Sequence, residues 1–167
     1  MTADFWQRWS LRLEAVVFVA AARLILAVLP FRRLQPALSR PLAGPPAPAA
    51  EQAAATASIQ GAILWVWRRG WLRDSCFHRA IAAHLMLRRR GVPTWFHYGA
   101  ATLATRGLTG HVWLTSAAGP VVGGDQAPDY VPLLCWGQQV TGEQPTDCNN
   151  PGGEIGTCQS KPHWEPQ

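Results

Sequence analysis

Cys76 and His111 are the two side chains whose types and positions suggest a nucleophile and its base. Cys76 follows Asp74-Ser75, and either residue can accept from free first-turn N–H groups, which predicts a helix starting at about Cys76. A thiol in that first turn lies among unsatisfied N–H groups and positive dipole charge, and both lower its pKa from about 8.5. The same N–H groups can hold an oxyanion. A small buried cysteine is the ordinary alternative for a lone Cys, and the position at a helix start argues against it. Phe77, Ala80, Ile81, His84 and Leu85 recur at helical spacing as a core face, and Gly91 supplies a left-handed C-cap. Arg88-Arg89-Arg90 suits the negative end of the dipole and reads as a solvated helix end, with a docking surface for an acidic peptide as the alternative.

Two strands are predicted after this helix, Thr94 to Ala101 and His111 to Ser116. Ala117-Ala118-Gly119 fits a three-residue hairpin loop into Pro120–Asp125. In that register Ser116 pairs with Pro120, and His111 stands opposite Asp125. Directly opposed residues have Cβ atoms roughly 4.5–5.5 Å apart, close enough for a carboxylate to orient an imidazole. Asp129, the competitor, lies four residues beyond. A nucleophile, a base and an orienting group are the minimal apparatus for acyl transfer by cysteine, here in the order Cys76, His111, Asp125.

The residues that carry this chemistry resemble a known family. Cys76-x-x-x-Ala80-x-Ala82 running to Leu87-Arg88-Arg89-Arg90-Gly91-Val92-Pro93, then Gly110-His111-Val112-Trp113-Leu114, Gly119-Pro120-Val121 and Tyr130-Val131-Pro132-Leu133, is similar to lasso-peptide biosynthesis B2 proteins, leader peptidases of the transglutaminase-like superfamily. The resemblance covers roughly residues 5 to 134. It implies an α+β fold of transglutaminase-like or papain-like type, in which the nucleophile heads a helix packed on a small antiparallel sheet carrying His and Asp, with N-terminal helices before it. It also implies a cysteine peptidase that cuts the leader from a ribosomally made precursor, with Cys76 as nucleophile, His111 as base and Asp125 as third member. Family members usually read Ala-His-Ala-Trp-Val-Glu where this chain has Gly110-His111-Val112-Trp113-Leu114-Thr115, a departure that keeps the histidine and tryptophan.

The partners implied are the leader region of the precursor, a lasso cyclase and a separate leader-binding protein of the B1 (RRE) type. The last follows because the residues before the linker read as one apolar helix, leaving no room for a recognition domain. No nucleic acid, cofactor or metal is expected, and no Gly-x-x-x-x-Gly-Lys-Ser/Thr phosphate loop is present. Two other classes stay open: another acyl transferase on the same fold, and a catalytically silent binding or membrane-surface module.

With 48% hydrophobic content in 167 residues, one compact domain is expected. The net charge of +5 comes almost wholly from arginine, and could favour nucleic acid, an anionic membrane or an acidic peptide. Residues 1–34 read as an apolar helical segment ending before Pro30. Its apolar run is about fifteen residues, short of the roughly 20 a bilayer requires, and Arg23 interrupts it. A signal peptide is disfavoured for lack of a cleavage site. The chain is therefore placed in the cytoplasm, its first helix either packed on the catalytic domain or lying peripherally at the inner face of the membrane.

Residues 35–56 read as a Pro/Ala-rich linker, 57–136 as the catalytic domain and 137–167 as a loosely ordered tail. A second helix is predicted from Ala53 to Trp71, its tryptophans Trp65, Trp67 and Trp71 read chiefly as core, with a wall of the substrate cleft as the alternative. His78, His84 and His97 are expected outside the chemistry. Cys135, Cys148, Cys158 and His163 match no common zinc spacing, and a disulfide is not expected in a reducing cytoplasm.

Overall fold

A computed structural model describes residues 2–70, 75–103 and 107–138. Four helices, α1 (Thr2–Val28), α2 (Phe31–Leu38), α3 (Ala49–Arg68) and α4 (Cys76–Arg88), precede four strands, β1 (Thr94–Leu103), β2 (Gly107–Ser116), β3 (Gly119–Val122) and β4 (Val131–Gly137), with a 3-10 turn at Ala127–Asp129. The strands form one antiparallel sheet in the order β3-β2-β1-β4. The architecture is the α+β arrangement implied above, helices first and sheet after.

Helix α4 is the centre of the molecule. Ala80, Ile81, Ala82, Ala83, His84, Met86 and Leu87 are all fully covered, because α1 and α3 pack on one side of the helix and β1, β2 and β3 on the other. A helix buried all round needs apolar residues all round, and the small alanines let its neighbours approach closely. Both ends are fixed locally. Ser75 caps the start, its hydroxyl accepting from the His78 N–H at 3.5 Å while the Ser75 N–H donates to His78 Nδ1 at 3.2 Å. Asp74, the other candidate cap, lies outside the described residues. At the far end Gly91 turns at φ +68°, with the Val92 N–H bonding Leu87 O and the Gly91 N–H bonding Arg88 O, a Schellman closure.

His84 belongs to this core. Its Nδ1 lies 2.7 Å from Thr94 Oγ1 and its ring 5.1 Å from Phe96. Burial, helped by the charge of Arg88, pulls its pKa down to about 3 and keeps it neutral. His97 is also a packing residue, hydrogen-bonded to Thr115 at 2.8 Å and stacked on Trp113.

Several element boundaries differ from the sequence reading: β1 and β2 run on to Leu103 and back to Gly107, through what reads as a loop, and α3 ends at Arg68. Of the linker expected over 35–56, only Ser39 to Pro48 is without helix. Phe31–Leu38 is helical despite Pro36, and α3 starts at Ala49 instead of Ala53. The alanines after Pro48 are strong helix formers once the prolines end, so a mixed Pro/Ala composition conceals a helix start. Pro30 does end α1, and its fixed φ of −66° caps α2. From there Phe31 wedges between Phe77 of α4 (5.7 Å between ring centroids) and Trp136 of β4 (5.6 Å), bracing the end of α4 that carries Cys76.

Candidate active site

The head of α4 brings Cys76 against β2 at the point where β3 stops covering it. β2 and β3 pair Ser116 with Gly119 and Thr115 with Pro120, then a bulge moves the pairing to Leu114 and Val122. Beyond Leu114 the outer edge of β2 has no strand partner among the described residues. The Val112 N–H on that edge donates to the Cys76 sulfur, and the His111 imidazole hydrogen-bonds the same atom. Helices of this kind leave their first N–H groups without an intrahelical acceptor, so those of Cys76 and Phe77 surround the thiol as well.

The electrostatics of the pair are reciprocal. Burial pushes the half-buried Cys76 thiol up, but the hydrogen bonds from His111 and Val112 and the positive charges of His111 and Arg79 outweigh it and hold the pKa below the ordinary thiol value. Burial pulls His111 down, yet its hydrogen bond to Cys76, its bond to the Gly123 carbonyl and the thiolate charge raise it above the ordinary imidazole value, against a smaller opposing push from Arg79. A thiol lowered and an imidazole raised by one another shift the balance toward a thiolate–imidazolium pair. Such a thiolate is a nucleophile near neutral pH, and the imidazolium beside it is a proton donor.

His111 Nε2 donates to Gly123 O at 2.8 Å, which leaves Nδ1 for the thiol. The ring is held in place by Trp113, stacked at 6.0 Å, and by Tyr130, tilted at 5.0 Å. Asp125 stands elsewhere. The offset that follows the bulge would, if continued, set His111 opposite residue 125, but β3 ends at Val122 and Gly123 turns at φ +74°. The backbone carbonyl therefore reaches the ring, while Asp125 is exposed and makes no hydrogen bond or ion pair among the described residues. Asp129 is exposed in the 3-10 turn. Of the three residues singled out in the sequence, the structure brings Cys76 and His111 together and sets Asp125 apart.

Sequence reasoning passed over the Gly123 carbonyl, Tyr130 and Arg79. A backbone acceptor leaves no side-chain signature, although the positive-φ glycine was visible as Gly123-Gly124. Arg79 sits one turn into α4, at the end where a cation opposes the dipole, with its guanidinium 5.0 Å over Trp67 and its Nε buried without a partner. Both residues line a cleft of about 250 Å³ with Ile63, Leu64, Val122 and Gly123. Trp67, read mainly as core, is half exposed here and walls that cleft. Neither this cleft, which Asp125 also lines, nor a larger groove of about 630 Å³ between α1 and α3 is lined by Cys76 or His111.

Arg79 lowers the pKa of both members. Arg79→Gln should accordingly move both limbs of the pH–rate profile for kcat/KM to higher pH, since these limbs report the free-enzyme groups. A variant that lowered the plateau with the limbs unmoved would show that Arg79 acts only through packing.

Cys76 is the one free cysteine among the described residues. Cys135, expected as a free thiol, is disulfide-bonded, with its partner outside the described residues; its place on the edge strand β4 leaves the half-buried sulfur accessible to one. No cluster of metal-ligating side chains occurs among the described residues, and Cys148, Cys158 and His163 lie outside them. No helix among them is long and apolar enough to cross a membrane. A family model described as transglutaminase-like superfamily matches residues 16–135, a span that runs from α1 to β4 and holds both members of the pair. No curated protein and no solved structure matches the chain.

Proposed function

We propose that this chain, which belongs to the transglutaminase-like superfamily, is a cysteine peptidase that removes the leader from a ribosomally synthesised lasso-peptide precursor. The observation that carries the chemistry is the Cys76–His111 pair at the head of α4, with its thiol lowered and its imidazole raised. The choice of substrate rests on the resemblance of the cysteine helix and the Gly110-His111-Val112-Trp113 strand to the B2 leader peptidases.

In the proposed reaction the Cys76 thiolate attacks the scissile carbonyl, and the oxyanion that forms is held by the first-turn N–H groups of α4. The His111 imidazolium gives its proton to the departing amine, leaving a thioester on Cys76. Neutral His111 then takes a proton from water, whose oxygen attacks the thioester. The leader leaves as a carboxylic acid and the thiolate–imidazolium pair returns. Gly123 O fixes the imidazole in the tautomer that presents Nδ1 to the sulfur.

Leader recognition is assigned to a separate leader-binding protein, which raises the local concentration of the scissile bond by tethering; the cyclase then takes the freed core. The test is to incubate the precursor with the chain, alone and with that protein, and to weigh the products. Two fragments whose masses sum to the precursor plus one water, formed faster with the partner, are expected. A product joined to an added amine would instead identify an acyl transferase. Equal rates with and without the partner would remove the two-component reading.

A further inference from the structure

Helix α1 carries two apolar faces, and the fold uses one. Ala15, Val19 and Ala22 face α3 and α4 and are fully covered. On the opposite side Trp6, Leu13, Val17, Leu24 and Val28 recur at four- and seven-residue steps and are 57% to 70% exposed. A helix on the surface of a soluble domain presents polar residues there. Packing on the domain and an outward apolar face are therefore not alternatives for this helix, because it has both.

The surroundings of the stripe indicate what covers it. At its N-terminal end Phe5, Trp6, Trp9 and Trp65 form an exposed or half-exposed aromatic cluster, with Trp9 and Trp65 5.8 Å apart. Arg12 lies 5.0 Å over Trp65 and Arg69 4.3 Å over it. Arg8 is exposed beside them, and at the other end exposed Leu29 and Phe31 adjoin Arg32 and Arg33. Among the described side chains of α1 and α2 the one carboxylate is Glu14, which Arg90 and Arg89 hold at 2.7 and 3.4 Å. The stripe is thus apolar, begins at Trp6 beside the aromatic cluster, and runs toward the exposed Arg32 and Arg33, with no free carboxylate among the described side chains of α1 and α2.

We propose that α1 lies in the headgroup region of an anionic lipid bilayer, its outer stripe in the acyl boundary and Arg32 and Arg33, just beyond its end, on the lipid phosphates. Aromatic rings with wet edges and arginines with long apolar stems are the groups that stand at that level. At 1.5 Å per residue the helix lies about 40 Å along the surface; it does not cross. The inference is independent of the substrate assignment, since it uses no residue of the Cys76 site.

The experiment is flotation of the full chain with vesicles of phosphatidylcholine alone or mixed with phosphatidylglycerol. Binding to the mixed vesicles, weakened by salt, is expected for the unmodified chain. Leu13→Gln/Val17→Gln/Leu24→Gln should weaken that binding about tenfold or more while leaving the thermal melt and the alkylation rate of Cys76 unchanged, because the three positions are exposed. Arg32→Gln/Arg33→Gln should abolish the preference for the anionic vesicles. The proposal is overturned if the folded, unmodified chain ignores both vesicles, or if the triple glutamine variant binds as well as the parent. It is also overturned if vesicles are ignored and the glutamine variant instead loses self-association or binding to the leader-binding protein, which would make the stripe a protein interface.

Discussion

Cys76→Ala is expected to abolish cleavage of the precursor while leaving the fold intact. The side chain removed is small and half-buried, so the loss in stability should be about 1 kcal/mol, within the ordinary range for a point substitution. The activity lost is nearly all of it, because no other group at the head of α4 can form the thioester. His111→Ala should be almost as damaging, by about a thousandfold or more, since nucleophile and base act as one unit and their losses do not add. The double variant should therefore be no worse than either alone. Iodoacetamide gives a second readout. The unmodified protein should alkylate at Cys76 rapidly near neutral pH, and His111→Ala should slow this by returning the thiol pKa toward its usual value. Across pH the reactive pair exists above the lowered thiol pKa and below the raised imidazole pKa, so the rate should fall on both sides of that window. Retained cleavage in the alanine variant at 76 would end the peptidase proposal.

The parts of the site that were legible in the sequence are those fixed by near neighbours. Ser75 and Gly91 mark the ends of α4 through hydrogen bonds to residues three to five positions away, and such short-range signals place Cys76 in the first turn without knowledge of the rest. The two strands expected after α4 are present but longer than read, and their pairing, which the sequence did not specify, runs from Thr94 opposite Ser116 to Leu103 opposite Gly107. What was hidden depends on chain geometry beyond one element. The hairpin opens one residue off the expected register, with Ser116 opposite Gly119 and not Pro120, and meets it only at Leu114 and Val122 after the bulge; the strand then ends three residues before Asp125, where the turn at Gly123 and not alternation sets its length. The helix start at Ala49 was masked because proline and alanine share a composition and not a conformation. For α1 the sequence offered packing on the domain and a membrane surface as alternatives, and only the packing tells that one apolar face is covered while the opposite one is exposed.

Gly123→Ala should cost most of the activity, although the residue adds no side chain to the site. Its φ of +74° is a conformation that alanine adopts only with strain. A Cβ built there would lie 2.9 Å from the Val112 carbonyl oxygen, closer than real Cβ contacts come, and 3.0 Å from His111 Nε2, tighter than nearly all of them. Neither neighbour can yield cheaply, since one is backbone of β2 and the other is the base itself. The substitution must push the imidazole away from the thiol or rotate the carbonyl off Nε2. Either movement removes the hydrogen bond that helps raise the His111 pKa, so the alkaline limb of the pH profile should shift to lower pH along with a loss in kcat of about a hundredfold, the scale of a misoriented catalytic base. Asp125→Asn is the paired experiment. The Asp125 carboxylate is exposed and does not touch the ring, so this variant should keep kcat within about threefold of the parent, as surface substitutions usually do. Thermal melts separate a folding defect in Gly123→Ala from a defect confined to His111. If Asp125→Asn proves the damaging change and Gly123→Ala the mild one, the loop must rearrange when peptide binds so that the carboxylate replaces the carbonyl on Nε2.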